Sequence, residues 1–280
     1  MEAAGGSHSF NTSGPSTHRL VALHSERQAT MAVQTSAGIY AEFLDYAADE
    51  VLCEAYVAHD GTDGSKHPCV IVAHDWSGQN ASIRTATEQF VSYGYLGFAL
   101  DVYGKGVRGG ETDDNSALMA PLMQDRALLR RRLLAAVAAA KRHPLVDPDR
   151  IAVVGYCFGG LCALDVARSA TPDVPGVVSI HGVLQPPRIG VQASIRAKVL
   201  ILHGWEDPMA PPADVLAVAQ ELTEAGADWQ IHAYGHAMHS FSWPLANRPE
   251  VGIAYNSSAH KRSTIALQKF LEEIFKAVVS

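Results

Sequence analysis

The most constraining feature of this chain is a short apolar run, Ile151-Ala152-Val153-Val154, that passes directly into Gly155-Tyr156-Cys157-Phe158-Gly159-Gly160. A brief, unbroken apolar run is how a strand buried on both faces reads, and such strands belong to sheets covered by helices on each side. Glycines two positions either side of a central residue then mark a sharp strand-to-helix turn. Bulkier side chains there would collide with neighbouring backbone. The following helix aims its free N–H groups and positive dipole end at the turn, which favours a thiolate at Cys157. The N–H of Phe158 is placed to act as an oxyanion donor. Alone, the motif is equally readable as a buried cysteine beside a phosphate-binding or merely well-packed turn.

The rest of the chain repeats the strand–helix alternation. Tyr40 to Tyr46 and Glu50 to His59 read as an opening pair of strands, and Val70 to Ala73 and Leu96 to Leu100 as buried strands. Between the latter two, Ser82 to Tyr93 reads as a helix with Ser82 as N-cap and Gly94 as stop. A long helix is predicted from about Asn115 to His143. Strands follow at Gly176 to Ile180, Val199 to Leu202 and Trp229 to Ala233, with a helix near Ala213 to Ala225 and an apolar stripe on a closing helix. Alternation of this kind specifies an α/β fold: a mostly parallel sheet with helices on both faces. Ligands collect beyond the carboxyl ends of such strands, so chemistry is sought at Asp75, Tyr103, Cys157, His181, Asp207 and His239.

An α/β-hydrolase supplies its nucleophile with partners in the chain order nucleophile, acid, histidine. His203-Gly204-Trp205-Glu206-Asp207-Pro208 and Tyr234-Gly235-His236-Ala237-Met238-His239 follow the last two strands in that order. Asp207 is preferred to Glu206 as the acid. Of His232, His236 and His239, the last has the best reach to Cys157. Their spacing invites a zinc reading, but Gly235 and the strand-to-loop transition keep them off one helical face, so no metal is expected.

At these residues the chain resembles the dienelactone hydrolase family. Matching segments run from Cys69 to Gly104, through the glycine-flanked cysteine, Leu202 to Pro211, and His239-Ser240-Phe241. The resemblance implies the α/β-hydrolase fold and a triad of Cys157 as nucleophile, Asp207 as orienting acid and His239 as base. In the family a glutamate contacts the resting cysteine and the next residue's N–H completes the oxyanion hole. Here those positions are Asp75, one methylene shorter, and Trp76. The arginines that hold the family's lactone carboxylate correspond to Lys105 and Trp243. With Tyr103, Trp76 and Phe158, they suggest a more aromatic pocket that is less selective for anions.

The expectation is therefore a cysteine hydrolase of activated esters or lactones, with attack on neutral aryl dialkyl phosphates as a side activity. The alternative is a non-catalytic small-molecule-binding protein on the same scaffold. Glutamine amidotransferases also use a cysteine elbow, but their terminal His-Pro-Glu is absent. A net charge of −7 over 280 residues offers no broad basic footprint for nucleic acid. The run Arg130-Arg131-Arg132 reads as a solvated helix face. No apolar stretch approaches the roughly 20 residues that span a bilayer. Residues 1–36 read as a flexible arm outside a single domain at 37–280, with Met31 as an alternative start and no secretory signal. Four cysteines without a C-x-x-C pair suit a reducing, cytoplasmic setting. No cofactor is called for, and the motifs leave the oligomeric state open.

Overall fold

The computed structural model describes residues 33–34, 38–61 and 64–276, so the arm at 1–36 lies outside the described residues except for a short strand, β1 (Val33–Gln34). That strand pairs antiparallel with β2 (Tyr40–Ala48), which pairs with β3 (Val51–His59). After these come β4 (His67–Ala73), α1 (Ala81–Ser92), β5 (Leu96–Ala99), α2 (Ser116–Gln124), α3 (Arg126–Arg142) and β6 (Val146–Tyr156). Then follow α4 (Phe158–Arg168), β7 (Gly176–Ile180), β8 (Lys198–Gly204), α5 (Pro212–Glu224) and β9 (Trp229–Tyr234). A small hairpin, β10 (Asn247–Arg248) and β11 (Ile253–Ala254), precedes α6 (Ser257–Lys276). Among the described residues the main sheet has the order β1-β2-β3-β5-β4-β6-β7-β8-β9. It is parallel from β5 to β9, with the antiparallel strands β1–β3 on one edge.

Period-two alternation sorts the central strands into two cores. On β4 and β6, Cys69, Ile71, Ile151 and Val153 face α3 and α4. Val70, Val72, Ala152 and Val154 face α1 and α6, where they meet Phe90, Leu267 and Phe270. These central side chains are fully buried on both faces of the sheet, as the apolar runs require.

Local details differ from the sequence expectation where side chains compete for helix ends. Asn80, not Ser82, caps α1: its Oδ1 accepts the Ile83 N–H at 3.1 Å, while Ser82 donates to Glu111. The single helix expected at 115–143 is two helices. Pro121 lacks an N–H, and the Asp125 side chain accepts from the Leu128 N–H at 2.8 Å, capping α3 afresh. The basic run is not uniformly solvated either. Arg131 is exposed and pairs with Asp49, whereas Arg132 turns inward and donates to the Val102 carbonyl.

Candidate active site

Cys157 sits between β6 and α4 with φ 55° and ψ −118°, a conformation a non-glycine residue adopts only under constraint. The constraint is visible. Its N–H is shared between the Ile180 carbonyl at 3.1 Å and His181 Nδ1 at 3.2 Å. A Cβ on Gly155 would lie 1.8 Å from the Gly159 oxygen, and one on Gly159 would lie 2.1 Å from the Ala73 oxygen. Only glycine lets strand and helix close this tightly.

The acid and the histidine arrive from the loops that follow β8 and β9. His239 Nε2 is 3.1 Å from Cys157 Sγ, and His239 Nδ1 is 2.8 Å from Asp207 Oδ2. Asp207 and His239 are each 1% exposed, so the relay is shielded from water except at the half-buried sulfur. Asp207 Oδ1 is occupied by the Met209 N–H at 2.8 Å. The other candidates are drawn off: His236 pairs with Glu206 at 2.9 Å on the exposed surface. His239 is held through its backbone, which donates to Gly252 at 2.9 Å and accepts from Ala254 at 3.1 Å. The β10–β11 hairpin thus fixes the loop, a support with no readable signal in the sequence.

Burial works against a charged His239, but the neighbouring Cys157 sulfur and the hydrogen-bonded Asp207 carboxylate outweigh it and push its pKa up to about 10. The arrangement favours the protonated imidazole. By contrast, burial, aided by Asp101, pushes Cys53 up to about 12, and burial likewise raises Cys69 and Cys162. Since the folded value of His239 lies above the ordinary histidine value of about 6.5, its contribution to stability is complete below that value. It is withdrawn as pH rises toward about 10. Two consequences can be measured by imidazole 15N NMR and by urea titration across this window. In Cys157→Ala the His239 pKa should move down, and the loss of stability on raising the pH should shrink. An unmoved His239 titration would show that the sulfur does not set it.

His181 stands at a position the strand-end rule marked without assigning a role. It follows β7 with φ 39° and is 3% exposed. Its Nδ1 accepts the Cys157 N–H, so Nε2 carries the proton and donates to Ser242 Oγ at 2.9 Å. The ring packs edge-on against His239 with centroids 5.3 Å apart, and burial and the His239 charge keep its pKa well below the usual histidine value. It therefore ties the cysteine turn to the loop that carries His239.

Asp75 lies beside Cys157 in the cavity wall, but its Oδ1 accepts the Ser77 N–H at 2.8 Å and the Ser77 hydroxyl. Among the described residues, the hydrogen-bond partner of the Cys157 sulfur is His239, not Asp75. The shorter side chain closes a turn onto itself instead of reaching the thiol. Behind it, buried His74 donates from Nδ1 to the Asp75 carbonyl at 2.6 Å and accepts the Val102 N–H at 3.3 Å. Phe158 opens α4, so its N–H has no intrahelical acceptor. Within the described residues neither it nor the Trp76 N–H is bonded elsewhere.

The sulfur opens into a cavity of about 790 Å³ whose wall includes Asp75, Trp76, His181 and Trp243. Tyr103 and Lys105, expected to line it, do not. Tyr103 is 8% exposed, stacks on Phe158 and donates to the Trp76 carbonyl at 2.9 Å, supporting that turn from behind. Lys105 is turned toward Asp45 at 2.7 Å and Glu54 at 3.3 Å. Those acids sit directly opposite each other on β2 and β3, a like-charge pair that needs a cation. The ion pairs hold Lys105 away from the cavity. No helix among the described residues is long and apolar enough to cross a membrane, and no group of His, Cys, Asp or Glu there is arranged to hold a metal.

Comparison with known proteins identifies the family and the fold. The model of the dienelactone hydrolase family matches residues 53–275. A crystal structure of a dienelactone hydrolase-like promiscuous phosphotriesterase from metagenomic libraries superposes with a TM-score of 0.80 at 30% identity. The match covers 85% of this chain and 99% of that one. Carboxymethylenebutenolidase 1 of Cupriavidus pinatubonensis is 26% identical over 212 residues, 71% of this chain and 86% of its own. An uncharacterised Caenorhabditis elegans protein is 36% identical over 149 residues, 52% of this chain and 94% of its own. With a family match that runs from β3 into α6 and a neighbour of the same fold along nearly its full length, this chain is an α/β-hydrolase of the dienelactone hydrolase family.

Proposed function

We propose that the protein hydrolyses neutral activated carboxylic esters through Cys157, His239 and Asp207, with Phe158 and Trp76 as oxyanion donors. The reading rests on one observation: the unbroken chain of contacts from sulfur to imidazole to buried carboxylate, at 3.1 and 2.8 Å. The sulfur attacks the carbonyl carbon, and the negative charge moves to the carbonyl oxygen facing the two N–H groups. The carbon–oxygen bond to the leaving group breaks as His239 Nε2 gives that oxygen its proton. A water then attacks the thioester, giving its proton back to Nε2. The carbon–sulfur bond breaks and the acid departs. Asp207 holds the imidazole in the tautomer that keeps Nε2 toward the sulfur.

A second reaction draws support from the cavity. Among the described residues its wall holds no lysine or arginine, and it carries two tryptophans, which suits a neutral triester with an aromatic leaving group. The same nucleophile and N–H pair would serve at phosphorus. A structural neighbour is itself described as a promiscuous phosphotriesterase. One experiment tests both reactions: acid-quenched intact-mass and peptide mapping after mixing with p-nitrophenyl butyrate or with p-nitrophenyl diethyl phosphate. The ester should leave a transient butyryl group on Cys157. The triester should leave a diethylphosphoryl group there that water releases. Turnover with the label on another residue would sink the mechanism. A phosphoryl adduct that never clears would reduce the second activity to a single stoichiometric event.

A further inference from the structure

The cavity at Cys157 is not a compact bowl but a groove running between two helices. On α1 and its C-cap the wall includes Ser82, Thr85, Ala86, Gln89 and Tyr93, and on α6 His260, Thr264 and Leu267. These positions recur every three or four residues, so each set is one continuous helical face. From Ser82 to Tyr93 such a face extends about 16 Å at 1.5 Å per residue. Cys157, His181 and Ser242 line the same cavity.

Its chemistry is consistent along this length. The floor is apolar, with Ile83, Phe90, Ile180 and Leu267 all at 5% exposure or less. The walls carry small side chains, Ala81, Ala86, Thr85 and Thr264 among them, which leave the space between the helices unfilled. Apart from Cys157 and two tyrosines, the ionisable residues that face it are Asp75, Glu88, Glu111, His181 and His260, none of them a fixed cation. Glu88 accepts from the Tyr56 hydroxyl and Glu111 from the Ser82 hydroxyl. A carboxylate-bearing lactone would meet acidic groups and no counter-charge. A slim neutral chain would meet a matching apolar floor.

We propose that this groove binds an unbranched aliphatic arm of the ester, making medium-chain esters the preferred substrate class of the site. The inference rests on Cys157 being the nucleophile. The volume of about 790 Å³ exceeds what a small lactone ring fills and is at the upper part of the roughly 300–1,000 Å³ that ligand pockets span. The acid released would leave readily, since the same acidic wall that rejects a charged substrate repels a carboxylate product.

The test is a chain-length series: p-nitrophenyl acetate, butyrate, octanoate and laurate for the acyl arm, and methyl to octyl acetates for the alcohol arm. A fully buried methylene is worth about fourfold in kcat/KM, and about half of that is expected in a half-open groove. Butyrate to octanoate, or the matching step in the alcohol series, should therefore raise kcat/KM roughly tenfold. Ala86→Trp, midway along α1, should erase that rise, so that octanoate gains nothing over butyrate. Thr264→Trp on the facing helix is the second variant and should do the same if the first does not fold. A flat or falling profile in both series, with activity still abolished by Cys157→Ala, overturns the groove assignment alone. Activity that survives Cys157→Ala overturns the catalytic reading beneath it.

Discussion

Cys157→Ala should lower kcat/KM on p-nitrophenyl butyrate by about four powers of ten or more, equivalent to roughly 5.5 kcal/mol of transition-state stabilisation. The size follows from the way the site is built. His239 is committed to one partner on each side, Cys157 at 3.1 Å and Asp207 at 2.8 Å. No other cysteine offers a substitute: Cys53, Cys69 and Cys162 are buried. Without the sulfur, the proposed N–H pair and groove would remain, which bind but do not attack. Apart from the lost His239 contribution, packing stability should change little, because the side chain removed is half-buried. Steady-state kinetics with an active-site titration is the check. Activity retained within tenfold would transfer the chemistry to another residue or to a bound water.

Gly155→Ala should be the most damaging single-methyl substitution at the cysteine turn, costing about 3–5 kcal/mol and lowering the melting temperature by roughly 10 °C. The added Cβ would meet the Gly159 oxygen at 1.8 Å and its carbonyl carbon at 2.1 Å. Both are backbone atoms, so no rotamer change relieves the clash. The first turn of α4 must move, and it carries the Phe158 N–H with it. Activity should therefore fall even in the fraction that stays folded. Gly235→Ala is the control, since a Cβ there meets nothing within 4 Å. Paired thermal and urea unfolding would decide the matter. Equal stabilities for the two variants would mean that the turn relaxes in a way its backbone contacts do not suggest.

The elements that sequence reasoning locates well are those whose signal is internal to the segment. The strand Gly176–Ile180 has the bounds that its apolar run predicts. The order of cysteine, acid and histidine is legible because each follows a strand of the parallel part of the sheet, and parallel strands put their carboxyl ends on one side of it. The break at Asp125 is less legible, because apolar periodicity continues across it while the capping carboxylate acts only once the backbone has turned. The errors at the site have a similar origin. The family pattern puts Lys105 at the pocket, but the Asp45–Glu54 pair that holds it comes from two other strands. The same pattern gives Asp75 a contact with the thiol, whereas here its Oδ1 meets Ser77.

By itself, the sequence determined the class of fold, the cysteine turn and the identity of its two partners, because hydrophobic periodicity, glycine spacing and chain order are properties of one dimension. Only the tertiary structure decided how the site is held and what it faces. His181 reaches Ser242 across 61 positions of the chain. The β10–β11 hairpin grips His239 through backbone bonds that no side chain specifies. The groove lies between α1 and α6, the first and last helices among the described residues. All three depend on distance in space, and no local pattern encodes it.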